Sequence, residues 1–425
     1  MKKKLIAGAA AALLLALAGC STAGGSNASG PAPKDLKASI TYGFWNGQEK
    51  AVEKIVDGFH QEYPNIKVTT EITPYAQYFT KLQTQASSNT LPDVFWLNMP
   101  NFKLYADNGQ LAPIDPLIDS KQIALSNYPS DITKFFSANG KQYGVPKDVD
   151  TTAMWIDKKL FAEAGVPLPK DGWTWSDYEA DAKTITDKLG PQGIYGTVFE
   201  LAGQTTWYNT IFEAGGYVIS PDGKKSGWDL PATRKGIQIW ADLIKNGDAP
   251  TVQQVTDTMG YQWFTAGKAA MYPMIAGASI GIMQQAPNKA DLTVVPMPKD
   301  KIAANVGHSI TNVVAAKSKN LQAAQAFQAY LSGKDAALIL AKTGIALPAY
   351  KGTSQPFVDS DPEFDLQVFV DAVADAKPYP ASKNTAVWAT PEATLIPQAL
   401  SGQITVADAT TQLADKMNAA LAKEK

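Results

Sequence analysis

Between residues 38 and 98 the chain changes its hydrophobic period again and again, and this constrains the fold more than any other feature. Ile40, Tyr42 and Phe44 alternate within "ASITYGFWNG" and stop at Asn46-Gly47, the pattern of a strand ending in a turn. Val52, Ile55, Val56, Phe59 and Tyr63 then recur at helical spacing until Pro64. Ile66, Val68, Thr70 and Ile72 alternate once more, "TPYAQYFTKLQTQASS" predicts a second helix, and "LPDVFWLN" a short buried strand. Strand, helix, strand, helix, strand at this rhythm implies an α/β fold built on a parallel sheet. Ligands of such sheets bind in the crevice beyond the carboxyl ends of the strands. Trp45-Asn46 and Trp96-Leu97-Asn98 both stand at that position.

The pattern then starts again. "QYGVPKDVDTTAMWID" reads as a further strand region, and Thr174 with Asp177 as a capping box inside "WTWSDYEADAKTI". "GIYGTVFE", "IQIWADLIKNG", "FTAGKAAMYP" and "LTVVPMP" continue the alternation to about Pro298. A last helix is predicted over 405–422, capped by Thr405 and Asp408, with Leu413, Met417 and Leu421 inward. Trp155, Trp173, Trp175 and Trp240 fall within these periodic patterns and are assigned to the core. The chain shows no internal repeat.

The amino-terminus predicts a protein exported from the cell. Lys2, Lys3 and Lys4 precede an uncharged run from Leu5 to Ala18. As a helix that run would be about 21 Å long, too short for a hydrocarbon core of about 30 Å, so it reads as an export leader over 1–19. Leu17-Ala18-Gly19-Cys20 resembles a lipoprotein cleavage box, and Cys20 is the only cysteine. A diacylated Cys20 would hold the chain on the outer face of the cell membrane, since two acyl chains anchor where one binds marginally. An ordinary secretory leader that happens to contain a cysteine is the alternative. The segment 20–36 includes "STAGGSNASGPAP", without charge or large apolar side chains, and is expected to be a flexible tether.

Composition narrows the ligand. The formal charge of −2 becomes about −5 without the leader lysines, which disfavours nucleic acid as a partner. Arg234 is the single arginine, whereas phosphate and carboxylate ligands usually call for the bidentate guanidinium fork. His60 and His308 lie far apart without cysteine partners, so neither a metal nor another cofactor is expected. Ten tryptophans, many beside turn residues, are what the chain offers instead.

"FHQEYPNIKV", "LPDVFWLN", "GKQYGVPKDVDTTAMWIDKKLFAEAGVP", "FTAGKAAMYP" and "AAKSKNLQAAQAFQAYLSG" followed by "AKTGIALPAYK" occur in this order. In that series the chain, from about residue 38 to its carboxyl end, resembles the extracellular solute-binding proteins of carbohydrate ABC importers, the maltose-binding-protein-like family. The resemblance implies a two-lobed, periplasmic-binding-protein-like type II fold with a hinge and a ligand cleft between the lobes. It implies a first lobe of 37–148 plus 311–358 and a second of 149–310 plus 359–425. It further implies a monomer that closes on a neutral oligosaccharide and is then recognised by the importer's permease subunits, with no reaction catalysed.

Sugars present outward hydroxyls and C–H ring faces, which amides and carboxylates, and aromatic rings, respectively match. The turn residues Trp45, Asn46 and Glu49, and Trp96 with Asn98, are therefore candidate ligand contacts. The resemblance adds Asp148 and Asp150 at the first crossing between lobes, with two solvated loop acids as the alternative. It also adds Gln204, Trp207 and Asn209 in "AGQTTWYNTIFEAGGY", Ser309 and His308 at the return crossing, and Trp388 as a stacking ring. His308 reads equally as a structural histidine. Many relatives carry a tryptophan after the segment matching "GKAAMYPM"; here "IAGASIG" has none, leaving a wider site or a gap filled by Tyr272 or Trp263. A secreted carbohydrate-active enzyme and a binder of a non-sugar solute are the competing functions.

Overall fold

The computed structural model describes residues 31–424; the leader and Cys20 lie outside them. In chain order the strands are β1 (Ala38–Trp45), β2 (Ile66–Thr73), β3 (Val94–Asn98), β4 (Leu111–Ala112), β5 (Ser137–Ala138) and β6 (Lys141–Gln142). They continue as β7 (Thr152–Asp157), β8 (Tyr195–Thr197), β9 (Ala269–Ile275), β10 (Leu292–Val295), β11 (Asn305–Gly307), β12 (Ile310–Ala315) and β13 (Ala376–Pro378). The helices Glu49–Glu62 and Tyr75–Ser88 separate β1, β2 and β3, as the period changes predict.

Two sheets organise the molecule. One has the order β2-β1-β3-β12-β4, the other β10-β7-β9-β8. In the first, β1 pairs in parallel with β2 from Ala38↔Ile66 to Trp45↔Thr73, and with β3 on its other side. The carboxyl ends of all three therefore open on the same edge. β12 returns antiparallel, with Ile310 opposite Asn98. Residues far along the chain are thus delivered to the rim formed by the first hundred.

Each sheet has its own core. One gathers apolar side chains from Ala32 to Val149 and from Ile310 to Ala349. The other gathers those from Ala153 to Val306 and from Phe357 to Leu421, together with Ala341 and Leu347. Trp155, Trp173, Trp175 and Trp240 are all buried in the second core. The carboxy-terminal helix runs Val406–Leu421 and buries Leu413, Met417 and Leu421. Thr405 Oγ1 accepts from Asp408 N at its start, and the Thr174–Asp177 capping box is present in full.

Two expectations need correction. The segment 20–36 does not remain free to its end: Ala32 is buried, and Lys34 pairs with Glu62 at 2.9 Å and lies 4.0 Å from the Tyr63 ring centre. Lysine's apolar stem gives even a Pro/Ala-rich segment something to lay on a surface. In "QYGVPKDVDTTAMWID" only β7 and the end of β6 are strands. Between them the chain crosses from one core to the other, touching its neighbours through single bridges at Pro146↔Thr311, Asp148↔Pro348 and Asp150↔His308. An apolar-alternating sequence there serves an extended connector, which buries side chains on two sides as a strand does.

Candidate functional site

The rim at the ends of β1, β2 and β3 is aromatic. Trp45 lies edge-on to Trp96, Tyr78 and Tyr75, with ring centres 4.9, 5.3 and 5.5 Å away. Trp45 is partly exposed, whereas Trp96 is 1 % exposed. The Trp96 indole N–H donates to the Tyr42 hydroxyl at 2.6 Å, and Lys147 Nζ sits 4.8 Å from its ring centre. Trp96 is therefore the buried backing of the rim and not its surface. The correction has a simple cause: a large ring on the central strand β3 is covered from both sides, while the last residue of β1 reaches the edge.

Asn46 is exposed, and its Oδ1 accepts from Tyr75 N at 3.0 Å, tying the turn after β1 to the start of the next helix. Gly47 follows with φ +107°, which lets the chain reverse there without Cβ strain. Glu49 Oε2 accepts from the Gly47 N–H at 2.8 Å, so this carboxylate is already engaged in the turn. Asn98 is buried and accepts from Asn101 Nδ2 at 2.8 Å.

The crossing residues divide into structural and available groups. Asp148 is 5 % exposed; its Oδ2 pairs with Lys147 Nζ at 2.7 Å and its Oδ1 accepts from Ile310 N at 3.0 Å. Ser309 is fully buried and donates to Asp148 O at 2.7 Å. Both hold the two crossings together, contrary to the expectation of ligand contact. Asp150 is different. It is partly exposed, and its Oδ1 accepts from Gly277 N at 2.9 Å, at the start of the helix Ala276–Met283. A Cβ at 277 would come within 3.2 Å of Asp150 Oδ2, so the glycine permits the approach. Burial, aided by the Asp148 charge, pushes the Asp150 carboxyl up to about 7 in spite of that hydrogen bond. His308, antiparallel to Asp150, is partly exposed and is pushed down to about 4 by burial.

On the side of the second core, Asn209 is fully buried, donating to Gln204 O at 2.7 Å and accepting from Val306 N at 3.0 Å. Gln204 is partly exposed, but its Nε2 is itself buried and has no hydrogen-bond partner within the protein. Such an orphaned donor is uncommon. Trp207 and Trp388 are core residues here, 2 % and 1 % exposed. Their indoles donate to Glu392 Oε1 at 2.7 Å and to Ser382 Oγ at 2.9 Å. Neither presents a ring face to solvent, which corrects their expected stacking role. Tyr272 does not fill the gap left by "IAGASIG" with a free ring either. Tyr272 is buried with its hydroxyl on Glu200 Oε1 at 2.6 Å, whereas Trp263 is partly exposed, edge-on to Tyr195 at 5.6 Å with its N–H on Thr258 O at 3.1 Å.

Sequence reasoning overlooked Tyr75 and Tyr379. Tyr75 is 54 % exposed on the rim. Tyr379 follows β13, donates its backbone N–H to Gly307 O at 2.9 Å, and packs against both cores. The strand-end rule that selected Trp45 could have found Tyr75, which stands two residues after β2. Among the described residues no group of three or more His, Cys, Asp or Glu could hold a metal ion. No described helix is long and apolar enough to cross a membrane.

Two α/β cores joined by extended crossings, with a rim of aromatic and amide groups beside the join, define a two-lobed solute-binding protein. The chain belongs to the bacterial extracellular solute-binding protein family, which it matches over residues 45–338. It is 25 % identical over 417 residues to a maltooligosaccharide ABC transporter solute-binding lipoprotein of Streptococcus pneumoniae serotype 4, covering 95 % of this chain and 93 % of that one. The arabinooligosaccharide-binding protein of Bacillus subtilis is 26 % identical over 337 residues, covering 76 % and 74 %. Among solved structures, an ABC substrate-binding protein from Listeria monocytogenes in complex with cycloalternan superposes with a TM-score of 0.83 at 25 % identity, covering 91 % of this chain and 100 % of that one.

Proposed function

We propose that this protein captures a neutral oligosaccharide between its lobes and delivers it to the permease of an ABC importer. Cys20 would carry the lipid that keeps it on the outer face of the cell membrane, and it would work as a monomer that catalyses no reaction. The lobes would be 37–148 plus 311–358 and 149–310 plus 359–425, hinged at the crossings near Asp150 and His308. Binding would bias the closed state because the ligand contacts both lobes at once.

The observation that carries this reading is the composition of the crevice rim. Trp45, Tyr75 and Tyr379 are exposed or partly exposed rings, and Gln204, Asp150 and Asn46 are exposed or partly exposed amide and carboxyl residues. No guanidinium stands among them. Arg234 is bound instead to Thr410 Oγ1 and Thr411 Oγ1, each at 3.0 Å, on the carboxy-terminal helix. That favours a neutral ligand over a phosphorylated or carboxylated one. The engagement of Asp148 with Lys147 and Ile310 N weighs against a glycosidase, which needs two free carboxylates flanking the bond. The named ligands of the relatives support an oligosaccharide.

The test is a thermal-shift screen of di- to tetrasaccharides beside a polyamine and a sugar phosphate, with each sugar re-examined chromatographically after incubation. At a hundredfold excess over Kd a ligand stabilises by about 2.7 kcal/mol, a readily seen rise. At least one neutral sugar should raise the melting point and be recovered intact. A shift produced only by the polyamine or the phosphate, or recovery of cleaved sugar, would replace this reading.

A further inference from the structure

Beyond the aromatic rim the two cores face one another across a gap of about 720 Å³. One wall is the helix Met99–Asp107, which continues from Asn98 and buries Phe102, Tyr105 and Ala106 in the first core. Lys103 and Asp107 stand four residues apart on it, hence on one face, and both line the gap. The opposite wall is built on the second core. It consists of the turn carrying Asp222 and Lys224, the loop at Lys383, and Glu424 beyond the carboxy-terminal helix. Three lysines and three carboxylates therefore line one space.

The backbone of each wall is held in place, while the charges are not matched across the gap. Ile219 bridges Ser226 at the base of the turn. Within it Asp222 Oδ1 accepts from Ser220 Oγ at 2.6 Å and from Lys224 N at 3.1 Å. Ser226 N donates to Asn418 Oδ1 at 2.8 Å, fastening the turn to the carboxy-terminal helix. Glu424 accepts from Ser382 Oγ at 2.7 Å and from Lys383 N and Asn384 N, each at 2.9 Å, so its carboxylate is committed to its own wall. On the first wall Lys103 Nζ lies 5.6 Å from the Phe135 ring centre, and Asp107 Oδ1 accepts from Asn139 Nδ2 at a long 3.4 Å. Among the described residues no ion pair joins the two walls.

We propose that these walls form a charge latch, in which Asp107 pairs with Lys224 as the lobes close and helps to hold them shut. The proposal rests on the hinge closure in the reading above and adds a contribution that the ligand does not supply. Asp107 is the carboxylate that the first wall brings to the gap. Lys224 is exposed on a braced turn, so its ammonium moves with the second core as a unit. Lys383 is the poorer partner, because the Glu424 carboxylate already bonds to its backbone N–H and offsets its charge locally. A pair of exposed charges is weak, worth up to about fivefold in an equilibrium constant. That is enough to tune a hinge, since affinity scales with the population of molecules able to close. It also leaves a signature. A neutral sugar has no charge to screen, so salt dependence of its binding comes from charges of the protein.

The test is calorimetric titration of wild type, Asp107→Lys, Lys224→Glu and the double exchange at about 20 and about 500 mM NaCl. The probe is maltotriose, or another neutral sugar of the screen if maltotriose does not shift the melting point. Wild type should bind about threefold more weakly at the higher salt. Each single reversal should lose about threefold in affinity at low salt and flatten the salt dependence. The double exchange restores opposite charges and should return to within about twofold of wild type. A second measurement needs no sugar. In a Cys20→Ser background, Asn139→Cys with Lys383→Cys places one thiol on each wall, and the rate of disulfide formation between them reports closure. Adding Asp107→Lys should slow it about threefold, and the double exchange should recover it. A urea melt of each variant should keep the wild-type midpoint, which separates loss of the latch from unfolding. Unchanged affinity and trapping rate in both single reversals, or a double exchange that fails to rescue them, overturns the latch while leaving the oligosaccharide reading intact. If wild type binds no sugar of the screen, that reading falls, and the trapping rates decide the latch alone.

Discussion

At the scale of single residues, the exposure of each tryptophan decides what it can do. Trp388 and Trp45 make opposite predictions. Trp388 is 1 % exposed with its N–H on Ser382 Oγ, so Trp388→Ala should open a cavity and cost about 3–5 kcal/mol of stability. Trp45 stands partly open at the end of β1, and Trp45→Ala should weaken sugar binding by about 1–3 kcal/mol with a much smaller effect on folding. Urea melts and titration calorimetry on the two variants separate these outcomes; a Trp388 variant that folds as wild type but fails to bind would reverse the assignment. The sequence shows that tryptophans stand beside turns, and this was enough to find Trp45. It does not show which of them the second sheet and its helices cover. Trp207 and Trp388 each look like strand- or turn-adjacent rings until Glu392 and Ser382 are seen to take their N–H groups.

At the scale of elements, the helix Ala386–Leu400 joins two parts of the second core through one carboxylate. Trp388 and Glu392 lie four residues apart and so share its inner face. Glu392 Oε1 and Oε2 accept from Trp207 Nε1 and Tyr208 Oη, each at 2.7 Å, which pins the helix Trp207–Glu213 against it. Burial pushes the Glu392 carboxyl up to about 7, although both donors pull the other way. Between about pH 4.5 and 7 the folded protein therefore holds a proton that the unfolded chain has released. The corresponding stability is complete below about pH 4.5 and declines as pH rises through 7. Relative to Glu392→Gln, which cannot titrate, wild type should lose about 3 kcal/mol across that interval, read as the change in urea midpoint difference with pH. A difference that stays flat from pH 4.5 to 8 would show that the carboxyl titrates normally. The elements themselves were largely legible, because periods of 2 and 3.6 alternate cleanly through β1, β2 and β3 and return in the last helix. The connector from Tyr143 to Thr151 was not, since an extended crossing buried on two sides carries the same alternation as a strand.

At the scale of the molecule, two cores communicate through a few extended segments whose geometry is fixed by one buried ion pair. The side chains of Lys147 and Asp148 are both buried, and Asp148 also accepts from Ile310 N on the return crossing. Lys147 is held further by Gln48 Oε1 at 2.9 Å, at the start of the first helix. The first crossing, the return crossing and the aromatic rim of the first sheet therefore meet at a single carboxylate. Removing one partner of a buried pair leaves the other charge uncompensated and costs about 3–5 kcal/mol. Asp148→Ala should show that loss in urea unfolding, and should also weaken sugar binding although the Asp148 side chain is buried. The binding loss follows from the population argument: affinity is scaled by the fraction of molecules whose lobes are correctly set to close. Small-angle scattering distinguishes this route from a general loss of structure. The variant should be more extended than wild type without sugar and should reach the same compact dimension at saturating sugar. If it is already as compact as wild type when free, yet binds poorly, the crossings do not set the closing geometry and Asp148 acts on the ligand directly.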